Sequence, residues 1–111
     1  MVVTVSDIIP AKFAEIVQTQ QYLSSGVTTI IDKFTATNTS GAPVTISVNL
    51  VPPVTAAGSS NLIVSNKIIA SNETYTFPEL VGHVLRSNAF VSTIATVASV
   101  LVIRASGRVI T

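Results

Sequence analysis

The sequence predicts an all-β protein, a jelly-roll-like sandwich of two antiparallel sheets. Three observations lead there. First, the 111 residues hold 29 Val and Ile together with 13 Ser and 14 Thr. These side chains suit a pleated, half-buried surface, and the β-branched ones lose rotamer freedom in a helix. Second, apolar and polar residues alternate in short runs. In the clearest run Val44, Ile46, Val48 and Leu50 interleave with Thr45, Ser47 and Asn49, which marks one buried face and one hydroxyl-rich face. Third, Gly, Asn, Ser and Pro clusters punctuate the chain about every ten residues, the spacing of a sandwich or barrel. A chain of this length suits a single domain, residues 1–111, that buries roughly 65% of its unfolded surface.

The elements follow in order. Residues 1–12 are an apolar lead into Pro10, which disfavours helix, so an extended N-terminal arm or an edge position is expected. Residues 13–23 read as a strand or extended segment. Residues 27–38 read as a strand with imperfect alternation: Val27, Thr29 and Ile31 share one face, but Phe34 and Ala36 fall on the other. A bulge near Asp32-Lys33 would bring all five to one side. Asn38-Thr39-Ser40-Gly41 is a turn, so 27–51 reads as an antiparallel hairpin. Pro52-Pro53 ends it, and a flexible loop of about ten residues follows. Residues 62–64 and 67–70 are two short strands around Ser65-Asn66. Ser71-Asn72-Glu73 turns into 74–77, where Tyr75 and Phe77 share a face. Residues 78–85 suit one helical turn opened by Pro78 and limited by Gly82. Ser87-Asn88-Ala89 leads into 90–95. Then 98–104, apolar on both faces, reads as a central strand or one covered by a partner. Ser106-Gly107 precedes a last short strand, 108–111.

Composition excludes several function classes. Without cysteine there is no disulfide, thiolate zinc site or cysteine nucleophile. A formal net charge of +1 is far from the basic excess that phosphate binding uses, so no nucleic-acid partner is expected. The most apolar window, 89–103, is too short to cross a bilayer as a helix, and no membrane partner is expected.

The candidate site residues are few. His83 is the single histidine, with Glu79 four residues earlier, but a metal centre needs three or four converging ligands. A hydrolytic triad would have to combine His83, a serine and Asp7 or Asp32, and no Gly-x-Ser-x-Gly elbow is present. Five scattered acids give no evident pair for glycosidase chemistry. Gly26, Gly41, Gly58, Gly82 and Gly107 are spread one per expected turn, not gathered in a phosphate loop. Tyr22 is the candidate exposed aromatic for a carbohydrate, since Tyr75 is buried by alternation. Arg86, Arg104 and Arg108 read as strand-end charges that discourage edge pairing or as anchors for a partner protein. No enzyme, cofactor or metal is expected.

Three segments together resemble small virion proteins of tailed bacteriophages. The first is 30–48, where Asn38-Thr39-Ser40-Gly41 joins two apolar runs. The second is Glu73-Thr74-Tyr75-Thr76-Phe77-Pro78-Glu79-Leu80-Val81-Gly82-His83-Val84-Leu85. The third is Phe90-Val91-Ser92-Thr93-Ile94-Ala95 leading into Ile103-Arg104-Ala105-Ser106-Gly107-Arg108. Ser87-Asn88 stands where many members have Gly-Asp. Size and β character most resemble the capsid decoration, or staple, proteins of epsilon15-like short-tailed phages. The resemblance implies a jelly-roll-like subunit made in the host cytoplasm and seated outside the shell. There it would bridge neighbouring major capsid proteins, as a homodimer across a shell two-fold, with the apolar arm and strand edges as contacts. A neck, tail or head-completion component is the alternative within the virion. A carbohydrate-binding sandwich is the alternative outside it.

Overall fold

The computed structural model describes residues 1–111. Nine strands form: β1 (Val3–Phe13), β2 (Thr19–Leu23), β3 (Thr28–Asn38), β4 (Val44–Val51), β5 (Leu62–Ile69), β6 (Thr74–Thr76), β7 (Val84–Leu85), β8 (Phe90–Ala95) and β9 (Leu101–Ile110). One sheet has the order β1-β9-β3-β6, with β7 also on β3, and the other has β2-β8-β4-β5. Every pairing is antiparallel. The chain changes sheet at most of its turns, which is the order of a jelly roll. The expected architecture is therefore the observed one, and the accessible surface of 5592 Å² agrees with the ~5,800 Å² that scaling gives for this mass.

The core lies between the sheets. Phe34 and Phe77 are fully buried and meet edge to face, with ring centroids 5.2 Å apart. Each such ring contributes about 1.5–3 kcal/mol of burial free energy. The bulge in β3 falls where alternation fails: the register with β9 shifts between Ile31 and Lys33. As a result Thr29, Ile31, Phe34 and Ala36 all turn inward.

Several local expectations are overturned. Residues 27–51 are not a hairpin, because β3 and β4 belong to different sheets. The turn chemistry is present but makes a corner. The buried Asn38 donates its amide to the carbonyls of Ala42 (2.8 Å) and Ile69 (3.0 Å), and its Oδ1 accepts from the Ser40 N–H (2.9 Å). Of the two readings of 1–12, the edge position is the observed one and the free arm is not, since β1 pairs with β9 from Val3 to Phe13 at the end of its sheet. Within 13–23, Phe13 ends β1 and Thr19–Leu23 is strand, with 14–18 joining them. The two short strands at 62–70 are one strand, β5, which passes Asn66 at φ 50° through an irregular register against β4. The strands expected at 98–104 and 108–111 are one strand, β9, which begins only at Leu101, ends at Ile110 and lies inside its sheet. Gly107 is therefore no turn residue. A Cβ there would collide with the Ile30 carbonyl oxygen, so the close approach of β9 to β3 at the bulge requires glycine.

No helical turn forms at 78–85. Gly82, at φ 85°, donates to the Ile31 carbonyl (2.7 Å) and so ties the segment to β3 as a succession of turns. The loop after Pro52-Pro53 is pinned by a buried amide. Asn61 donates to the Ala56 carbonyl (3.0 Å) and accepts from Asn49 Nδ2 (2.7 Å) and the Gly58 N–H (3.1 Å).

Candidate interaction surfaces

The residues weighed for catalysis do not converge. His83 is exposed in the turn before β7, and its backbone carbonyl accepts from Ile31. Glu79 reaches the Tyr75 hydroxyl instead of His83. Burial first, and then Glu79, holds the Tyr75 hydroxyl pKa above the ordinary tyrosine value. Asp32 is held by Arg108. No group of three or more His, Asp or Glu side chains stands close enough to hold a metal ion.

Tyr22 is no carbohydrate platform. It faces the core half-buried, and its hydroxyl lies 2.7 Å from Thr29 Oγ1. Thr29 in turn contacts the buried Ser24 hydroxyl at 3.0 Å. Tyr75, expected buried, is half-buried beside Phe77, with Lys67 Nζ 4.2 Å from its ring centroid.

The two outer sheet faces differ in kind. On the β2-β8-β4-β5 sheet, the outward Ser47, Asn49 and Ser92 are buried. Gln18 reaches Asn49 Oδ1 (3.5 Å) and donates to Ser92 Oγ (2.7 Å), while Asn49 donates to the Gly58 carbonyl (2.9 Å) and to Asn61. Ser47 Oγ accepts from the Asn66 N–H at 2.9 Å. These polar groups satisfy one another. Sequence reading missed this layer because its members are far apart in the chain and each alone looks like a surface residue.

The β1-β9-β3 sheet presents aliphatic side chains outward. Register places Val3 beside Ile110 and Val5 beside Arg108, which lies beside Ile30, itself next to Val84 on β7. Val3, Val5 and Val84 are 50%, 80% and 60% exposed. Among them, Arg108 grips Asp32 through Nε (3.1 Å to each oxygen) and Nη2 (2.9 Å). That contact raises the Arg108 pKa above its ordinary value. The bulge makes this pair, because the extra residue in β3 swings Asp32 outward. Arg108 and Arg104 stand inside β9, not at strand ends as expected, while Arg86 is exposed in the turn after β7. Arg104 lines a shallow polar hollow with Lys33, Thr35 and Ser106.

A second apolar area lies at one end of the sandwich. Phe13, Ile16, Val17 and Ala98 line an open groove of about 310 Å³. Beside it, Lys12 and Glu15 pair at 2.8 Å. The hydrogen bond from Lys12 lowers the Glu15 pKa below the usual carboxylate range.

No family model matches the chain, and no curated protein matches it by sequence. Among solved structures it is similar to a chain from Bacillus endospore appendages, described as a novel family of disulfide-linked pili. The TM-score is 0.52 and the identity 15%, covering 98% of this chain and 88% of that one. At that identity the likeness shows the β-sandwich fold.

Proposed function

We propose that this protein is a structural subunit that works by adhering to protein neighbours, and that it decorates and cements a phage capsid by bridging neighbouring major capsid proteins. The observation that carries the reading is the uncovered aliphatic surface. A monomer that acts alone covers such side chains or scatters them singly. Here Val3, Val5 and Val84 lie together on one sheet face, and Phe13, Ile16 and Val17 line a separate groove. Two separated adhesive areas suit a bridge. Once the first contact forms, the second becomes intramolecular, and modest interfaces sum to a durable clamp. A clamp between shell subunits opposes the outward push of packaged DNA.

The solved neighbour, from an appendage, is a β-sandwich from an assembled structure. This chain has no cysteine, so these residues supply no disulfide to any assembly they join. The resemblance of 30–48, 73–85 and 90–108 to virion proteins supports the capsid setting over an appendage. The experiment is assembly of shells with and without the protein, followed by heating and DNA packaging. Shells lacking it are expected to open at lower temperature or to lose packaged DNA, and unchanged shells would refute the proposal. A neck or tail role would give a ring of few copies instead of a dispersed coat.

A further inference from the structure

We infer that the open edge of β1 at Val3–Val5 pairs with the same edge of a second copy, joining two sandwiches into one continuous sheet. The inference rests on the structural-subunit reading and names the contact residues for its self-association.

The edges of the two sheets are unequally guarded. Natural sheets blunt an edge with shortness, bulges, proline or charge. β6 and β7 are three and two residues long. β2 has five residues and a register shift at Gln20–Tyr22. β5 carries the irregularity at Asn66, and Lys67 follows it. The second half of β1 has two register shifts and Pro10, which offers no N–H. The opening four residues, Val3–Ser6, have none of these devices; Asp7 and the first register shift come directly after them. Val3 to Ser6 pair with β9 residue for residue, from Ile110 to Gly107.

Backbone direction follows from that register. Val2 and Thr111 exchange both hydrogen bonds, N–H of each to the carbonyl of the other, at 3.0 and 2.9 Å. Antiparallel ladders alternate, so Thr4 and Ser6 also turn their N–H and C=O groups to β9. The groups of Val3 and Val5 then point to the open edge, with no strand beside them. A backbone group left there wants a partner, and an extended strand supplies one.

The edge is self-complementary. In antiparallel pairing about Thr4, Val3 of one copy exchanges hydrogen bonds with Val5 of the other, and the reverse. Thr4 then opposes Thr4 of the other copy as a closely spaced pair, a favourable cross-strand match. Only uncharged side chains meet across the pairing. The exposed Val3 and Val5 of both copies come together across the seam, which removes apolar area from water, while Arg108 stands between them and the half-buried Ile30.

The test is sedimentation of the isolated full chain over a concentration series, with hydrogen exchange on the same samples. A concentration-dependent dimer is expected, in which the Val3 and Val5 amides slow as the dimer forms. Val5→Pro removes only the outward N–H, a substitution an edge position tolerates. It is expected to weaken association by at least about tenfold while leaving the thermal midpoint of the monomer in place. Val5→Lys, which keeps the N–H and adds like charge across the seam, should weaken it too. A dimer indifferent to both variants, or a chain that stays monomeric with fast Val3 and Val5 exchange at every concentration, overturns the inference. Protection of these amides only when shells are added assigns the edge to a foreign strand and also overturns it, yet leaves the structural-subunit reading standing.

Discussion

The two outer faces of this sandwich solve the same problem differently. Across β2-β8-β4-β5, Gln18, Ser47, Asn49, Asn61 and Ser92 close a hydrogen-bonded layer over the sheet. Across β1-β9-β3 and β7, Val3, Val5 and Val84 stand in solvent beside half-buried Ile30 and Ile110, around one ion pair. The first face satisfies its buried polar groups within the chain, with Ile68 of β5 exposed at its margin. The second leaves its valines uncovered. A polar group buried without a partner is costly, so the amide layer is a matter of stability. Exposed valines cost folding little, and in the function proposed above the aliphatic face serves association.

That contrast orders the consequences of substitution. The largest loss is expected from Gly107→Ala, because the added Cβ meets the Ile30 backbone and not a movable side chain. β9 must then shift away from β3, destabilising by about 3 kcal/mol, the upper end of overpacking effects, as read by urea denaturation. Next comes Asn61→Ala. It strips partners from Asn49 Nδ2 and the Gly58 N–H and is expected to cost about 1–3 kcal/mol, with faster proteolysis at 52–61. Asp32→Asn touches a pair whose members are both about half exposed, so it should lower stability by no more than about 1 kcal/mol. Equal losses for Asn61→Ala and Asp32→Asn would erase the distinction between the faces.

Smallest of all is the acid response of Glu15. Its pKa lies below the ordinary value near 4.3. The stabilisation is therefore present above that ordinary value and fades as pH falls through the lowered one. Glu15→Gln should flatten the acid limb of a stability–pH curve slightly and change nothing at pH 7 beyond the loss of the Lys12 contact.

The sequence made the fold class legible for a plain reason: period-two alternation and turn residues are local signals. The bulge at Asp32-Lys33 was equally local, since misaligned Ile31 and Phe34 report it directly. What lay outside its reach was pairing. Asn38-Thr39-Ser40-Gly41 reverses the chain whether the next strand pairs or crosses to the other sheet. The choice is made by Ile69 and Ala42, whose carbonyls take the Asn38 amide. Gly107 looked like a turn glycine because what demands it, the Ile30 carbonyl, is on another strand. Likewise the sequence left Val3 and Val5 open between an arm and an edge. Only their pairing with β9, and the lack of a strand on their other side, makes them an edge.

Adhesion to protein neighbours is most directly tested by quantifying this protein on purified particles. The account predicts that it co-sediments with intact shells in copy numbers of the same order as the shell protein, and is released when the shells are dissociated. Recovery of the protein only as free chain, with none on particles, would contradict it.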